Sequence, residues 1–450
     1  METTKDGTAV TRSIAAWVAG TTGDDLPPEA LAKAQQGILD TLGVALAGAD
    51  HDASRRIAAV VDDLAGQPQS TLIGTADRSS MQLAAMHNAY LSHVLDFDDT
   101  HFDAIVHVNS PVTAAGLAVA EHVGASGPEL LVAQTAGLEV TSRVAIAAGA
   151  QKDHGWHLTG TAGALGAAAS AARLLGLDAE QTAHALGIAS TLSSGLRGHR
   201  GTMTKAMNPA NAASNGVVAA VAARRGMTAS TTILEQPGVG YFRTHGAPEA
   251  PELADDLGTR HRMLDWDPKP YPCGVVIHPA IDAALALLEQ GVQASSIASL
   301  ELLVSPLALS ITGNRAPRDG LQSKFSVHHA TATALLAGSV LPVHFEDAWV
   351  QRPDVLDLRS RISGTPVDST SRDDAEVVAV LHDGRRVSAT ATARGTRQRR
   401  MTTAEVQQKF TLLVAPLLGE PGAQAVVDAV DGLASASDVG SLLRACAVPA

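Results

Sequence analysis

Nine consecutive residues, His93-Val-Leu-Asp-Phe-Asp-Asp-Thr-His101, carry three carboxylates, a hydroxyl and two imidazoles, and His107 and Asn109-Ser-Pro111 follow closely. Groups this crowded shift one another's pKa values, which is how sites for proton transfer are made. Asp96, Thr100 and His107 together are the candidates for catalysis. Asp98 and Asp99, taken singly, read as helix-cap or solvated carboxylates. Asp98-Asp99-x-x-x-Asp103 is also loosely similar to the acidic motifs that bind magnesium diphosphate in helical terpenoid lyases. Those enzymes line their pockets with aromatic rings to stabilise carbocations, and an aromatic content of 3% argues against that chemistry.

Three further loops hold residues of the same kind. His154 and His157 flank Gly155-Trp156; the plain reading is a helix N-terminal histidine bonded to backbone, and as a zinc pair they lack a clear third ligand. The loop 195–205 is broken by glycines and carries Arg197, His199, Arg200 and Lys205, a composition suited to an anion pocket. Lys269, Tyr271 and His278 stand where the character of the chain changes, and ligand sites favour such junctions. His329, at the opening of a later helix, completes the substrate-binding candidates. Tyr90, Phe97, Phe102, Trp156, Trp266, Tyr271 and Phe325 lie in or beside these loops, which suggests walls around a site.

Helices must hold most of these loops. Apolar residues recur at helical spacing from Ala30 to Leu46 behind Pro27-Pro28, and further helices are expected at 11–19, 53–65, 79–95, 127–148, 179–192 and 210–225. Ser110-Pro111 looks like an N-cap and first-turn proline of a helix running to Val123, so the acidic cluster becomes a loop between two helices. Gly160, Gly163 and Gly166, followed by an alanine-rich run, permit close helix packing; without a preceding strand they are not a dinucleotide fingerprint. After Trp266 a helix at 279–288, a strand at 299–305, a helix ending at Gly338 and a hairpin around Asp383-Gly384 indicate an α+β part. The expected fold class is mainly α: a helical domain over 1–265 to which 400–450 returns, and an α+β domain over 266–399.

Composition narrows the function. At 450 residues two domains are the prior, and a net charge of −13 disfavours nucleic acid or an anionic membrane surface as partner. Cys273 and Cys446 are the two cysteines, too few for a disulfide framework, an all-cysteine zinc site or an iron–sulfur cluster within one chain. No signal-peptide core and no run of about 18 uncharged apolar residues is found, so a cytoplasmic enzyme is expected.

Five motifs in order then resemble the MmgE/PrpD family: His-x-x-Asp-Phe-Asp-Asp-Thr-His; Gly-x-His-x-Thr-Gly-Thr-x-Gly-Ala; Gly-Thr-Met-Thr-Lys; Lys-Pro-Tyr-Pro-Cys-x(4)-His-Pro-Ala-Ile-Asp; and Lys-Phe-Ser. The resemblance spans about residues 10–440. It implies a homodimeric, cofactor-free, metal-independent enzyme acting on a small di- or tricarboxylate between two domains. The family includes 2-methylcitrate dehydratases, cis-aconitate decarboxylases and iminodisuccinate epimerases. The site residues it implies are Asp96, Thr100, His107, His157 and Lys205, with Lys269 and His278 from the junction motif. The chain departs from the family pattern in the loop 100–107, one residue longer than in the decarboxylase. It also departs at Asn208-Pro-Ala-Asn211, where a His-x-Gly-Arg pattern is frequent, and at His329, a tyrosine in some members. The shared chemistry is proton transfer next to a carboxylate through a carbanion- or enolate-like state, with lysines and arginines holding the carboxylates. A carboxylate-binding protein without turnover is the alternative of another class.

Overall fold

The computed structural model describes residues 9–149, 154–247 and 253–448. It is 60% helical, with few and small sheets. The longer helices are α1 (Val10–Gly20), α2 (Pro28–Gly48), α3 (Asp52–Leu64), α4 (Met81–Val94), α5 (Asn109–Val123) and α6 (Gly127–Ala147). They continue with α7 (Leu158–Leu174), α8 (Ala179–Leu192), α9 (Met207–Arg224), α10 (His278–Glu289), α11 (Val327–Ala337) and α12 (Thr403–Asp431). One apolar core joins α1–α9 to residues of α12 and the C-terminal turn, through side chains such as Ile38, Leu42, Leu138, Leu165, Phe410 and Val426.

At its centre α7 packs on α5, α6, α8 and α9. The glycine spacing at its start explains how four helices approach one. A Cβ on Gly160 would overlap the Ser194 carbonyl, one on Gly163 would press on Pro111, and one on Gly166 would overlap Thr141. Since interiors are already close-packed, Gly166→Ala is expected to destabilise the protein by about 1–3 kcal/mol in urea unfolding; a wild-type midpoint would show that the helices yield more easily than their packing implies.

A second core holds α10, α11 and a four-stranded sheet. Its strands are β1 (Ile297–Val304), β2 (Ile362–Pro366), β3 (Asp374–Leu381) and β4 (Arg386–Thr392), in the order β2-β1-β3-β4. β1 pairs parallel with β2 and antiparallel with β3, and β3–β4 is the hairpin whose turn holds Gly384 at φ +86°. Helix α10 lies on β3 and β4. The edge strand β2, Ile-Ser-Gly-Thr-Pro, has no counterpart in the sequence expectation; a central glycine and a terminal proline mask its signal.

α12 lies on α2. It is long and apolar enough to cross a membrane, as is α6. α6, however, is buried in the core, and α12 is interrupted at Gly419 (φ 71°) with Pro416 and Pro421 on either side. Near its start, Lys409 is buried and donates to Asp40 at 2.7 Å and to the carbonyl of Phe97 at 2.8 Å, anchoring the acidic loop from behind.

Candidate active site

A cavity of about 180 Å³ opens where the acidic loop, the histidine loop, the basic loop and the junction meet. Asp96, Thr100, His107, His157, Arg197, Arg200, Lys205 and Lys269 form its polar wall, and Ile105, Val275, Val276, Leu307, Ile311 and Phe325 are on its apolar side. Among the ionisable side chains lining it, four are cations and one is a carboxylate, inside a chain of net charge −13.

Local structure accounts for the convergence. Helix α4, capped by Ser80, stops at Val94, and Asp96 takes φ +53°, a left-handed turn that aspartate tolerates better than most residues. The chain then pairs Thr100 with Asp267 and His101 with Trp266, antiparallel, which ties the acidic loop to the junction. Lys33 holds Asp267 at 2.8 Å from α2. The expected cap of α5 is corrected by the structure. Asp99 reaches forward and accepts from the amides of Val108 and Asn109, both at 3.0 Å, while Ser110 bonds Ser92 and the Ala89 carbonyl. Across the cavity His157 N–H donates to Gly195 O at 3.0 Å and Arg197 N–H to Gly155 O at 2.9 Å, so the histidine and basic loops form one unit.

Asp96 is the electrostatic centre. Its Oδ1 lies 2.6 Å from Lys269 Nζ and 3.2 Å from Lys205 Nζ, and Lys269 also donates to the Asp96 carbonyl at 2.9 Å. Burial alone would raise the Asp96 pKa, but the two ammoniums hold it well below the usual carboxylate range. Burial lowers Lys269 less than Asp96 and Asp98 raise it, so its ammonium is secure. Lys205 is lowered, burial outweighing Asp96. His93, His107 and His157 sit well below 6.5, chiefly through burial, and are neutral at neutral pH.

Hydrogen bonds fix where the ring protons sit. His107 Nδ1 lies 2.7 Å from the Asp99 carbonyl, which can only accept, so Nδ1 carries the proton and Nε2 keeps a lone pair for a ligand. Its backbone N–H donates to Thr159 Oγ1 at 3.1 Å. Asp96 Oδ2, Thr100 Oγ1 and His157 Nδ1 are buried without a hydrogen-bond partner among the described residues. Three polar atoms left this way around one cavity are groups that a ligand can satisfy.

The cavity unites eight of the eleven expected site residues. It does not include Tyr271, His278 or His329, which the fold places elsewhere. Tyr271 bonds Asp282 at 2.5 Å and Arg394 at 2.6 Å, locking α10 to the end of the hairpin. His278 is fully buried beneath Cys273 and Tyr271, and His329 bonds the His344 carbonyl at 2.9 Å. Two other residues escape the sequence reading: Asp98 is not solvated but bonds His93 at 2.7 Å, and Lys324 is buried against the carbonyls of Leu95 and Pro272. The lysine had only the Lys-Phe-Ser motif to mark it.

Metal-compatible groupings exist: His93, His107 and His157, and Asp96, Asp98 and His107. In the first, His93 Nε2 already accepts from the Lys205 ammonium at 2.7 Å, which places a positive charge where a metal ion would bind. These residues therefore fit an anion better than a cation.

The buried imidazoles give a pH prediction. Burial also holds His278 at about 3 and His328 and His329 at about 4. Groups with depressed folded pKa values take up protons first in the unfolded chain, so stability is fully present above about 6.5 and falls as pH drops below it. Asp99, raised to about 7 by burial and Asp98, works in the opposite direction, as does the raised Asp40, but six imidazoles outweigh two carboxyls. The unfolding free energy is expected to drop by at least about 2 kcal/mol between pH 6.5 and 5.5. A flat urea midpoint over that range would contradict the buried neutral rings.

Comparison with known proteins comes to the same place. The MmgE/PrpD N-terminal domain matches residues 12–254, and the MmgE/PrpD C-terminal domain matches residues 271–433. Cis-aconitate decarboxylase of Aspergillus terreus is 25% identical over 466 aligned positions, covering 97% of this chain and 95% of the relative. The proteins of the same name from Mus musculus and Homo sapiens are 26% and 25% identical, covering 97% and 96% of this chain and 93% of each relative.

Proposed function

The chain belongs to the MmgE/PrpD family and is a carboxylate lyase, and from that premise we propose that it decarboxylates a small unsaturated tricarboxylate of the cis-aconitate kind. The observation that carries this reading is the charge of the cavity, four cations to one carboxylate that is already committed to two of them. At about 180 Å³ the space suits a small metabolite; pockets for drug-sized ligands run to roughly 300–1,000 Å³.

The chemistry follows from the geometry. Lys205, Arg197 and Arg200 hold the substrate carboxylates, and Lys269 keeps Asp96 ionised and in place. Loss of carbon dioxide leaves an electron pair that spreads toward a neighbouring carboxylate as an enolate-like state. Fixed ammoniums stabilise that charge without reorganising. The carbon then takes a proton from His107 or His157, the ring having first drawn that proton from water as an imidazolium and returning to its neutral form once it is delivered. Thr100 Oγ1 bonds a substrate oxygen. An epimerase is the second reading, since two neutral imidazoles, His107 and His157, lie in one cavity with ring centroids 6.3 Å apart.

Purified, chelator-treated protein assayed against a panel of di- and tricarboxylates tests the proposal. Release of carbon dioxide from a tricarboxylate, undiminished by the chelator, is expected. Binding without turnover would make this a carboxylate-binding protein, inversion without carbon dioxide an epimerase, and loss of activity on chelation a metal enzyme.

A further inference from the structure

His93 does not line the substrate cavity, yet it is more tightly held than the imidazoles that do. Its side chain is fully buried, with Nδ1 2.7 Å from Asp98 Oδ2 and Nε2 2.7 Å from Lys205 Nζ. An ammonium has no lone pair, so at Nε2 the imidazole must be the acceptor. Its single ring proton is therefore on Nδ1, donated to the Asp98 carboxylate. The three residues form one directed chain, Lys205 to His93 to Asp98. Behind it lies a cavity of only about 10 Å³ lined by His93, Lys205, Met203 and Lys324, room for one water at most. On that side Lys205 meets no bulk solvent, and the imidazole of His93 is its acceptor there.

We propose that His93 is a positioning residue for Lys205, aiming its ammonium into the cavity while leaving its charge intact. The proposal rests on the reading that Lys205 touches substrate. A carboxylate in place of His93 would hold the lysine as firmly, but would cancel the charge that a carboxylate substrate needs. A neutral imidazole holds it without cancelling anything, provided the ring keeps its proton on Nδ1. Asp98 enforces that tautomer; its other oxygen lies 3.5 Å from His107 Nδ1 and makes no hydrogen bond among the described residues, since the His107 proton goes to the Asp99 carbonyl. The lowered pKa of His93 agrees with a neutral ring.

Three variants and one spectrum test the idea on the full-length protein. His93→Leu keeps the volume and removes the acceptor; a misaimed ammonium is expected to lower kcat/KM about 100-fold. His93→Gln offers an amide oxygen to Lys205 and is expected to recover most of that loss. Asp98→Asn is nearly isosteric but can donate to Nδ1, which favours the tautomer with its proton on Nε2, pointing at the ammonium; at least a tenfold loss is expected with the unfolding midpoint little changed. A merely structural role would make the losses follow the unfolding midpoints, with no recovery in His93→Gln. Nitrogen-15 spectra of the histidines in the ligand-free protein need no substrate: a neutral His93 protonated at Nδ1 is expected, and an Nε2-protonated or charged ring overturns the chain. If no carboxylate is turned over by the parent protein while the spectrum is as expected, the reading of the substrate fails and the chain stands. If the parent is active but folded His93→Leu and Asp98→Asn stay within twofold of it, the positioning role is wrong.

Discussion

Replacing His107 by alanine is expected to lower kcat by roughly 10²–10⁴, the range for loss of a positioned acid or base, while the protein stays folded. The ring makes one well-formed hydrogen bond to the backbone, from Nδ1 to the Asp99 carbonyl. Losing a bond of that kind costs about 1 kcal/mol, against a total stability of about 5–15 kcal/mol. The side chain faces a cavity, so its removal enlarges an existing space and leaves the apolar core intact. In the proposed mechanism Lys205, Arg197 and Arg200 still hold the substrate carboxylates, so KM should change much less than kcat. Steady-state kinetics with a circular dichroism control distinguishes the cases. Wild-type turnover in His107→Ala would remove the imidazole from the mechanism.

Lys269→Met should damage stability and activity together. The ammonium is buried and holds both the carboxylate and the backbone carbonyl of Asp96, a residue already in a left-handed turn. Removing one partner of a buried pair leaves an under-compensated charge and costs about 3–5 kcal/mol. Lys205 alone would then face Asp96 and be drawn toward it, away from substrate, and loss of one charge-stabilising group costs about 10²–10³ in rate. Asp96→Asn combined with Lys269→Met removes both charges. The double variant should recover much of the stability lost in Lys269→Met and none of the activity. If the single variant melts like the parent protein, the Asp96–Lys269 pair is not the anchor its geometry indicates.

Much of this was legible in the sequence because the signals were local. Helical spacing of apolar residues placed α2, α4, α6 and α8 to within a few residues, and the Asp-Gly turn placed the β3–β4 hairpin. The glycines of α7 read correctly as close-packing positions, since their spacing alone puts them toward neighbouring helices. What stayed hidden depends on pairings distant in the chain. Asp99 caps a helix ten residues ahead, a reach that no capping motif describes. Thr100 and Asp267 pair over two residues only, too short for a period to register. Tyr271 and His278 share a motif with Lys269, but the bend over 270–273 takes the chain into the second core while Lys269 faces the cavity. Adjacency in sequence predicted shared function there, and backbone direction decided otherwise. His93 went unassigned because its importance lies in what it holds, Lys205, 112 residues away.

The central claim is that Lys205, His107 and His157 converge on one carboxylate-bearing molecule. A crystal structure with the diacid product bound tests it most directly. The account predicts one carboxylate within hydrogen-bonding distance of Lys205 Nζ and the reacting carbon about 3–3.5 Å from an imidazole nitrogen of His107 or His157. A diacid bound elsewhere on the protein, or one in the cavity with its carboxylates turned away from Lys205, would contradict it.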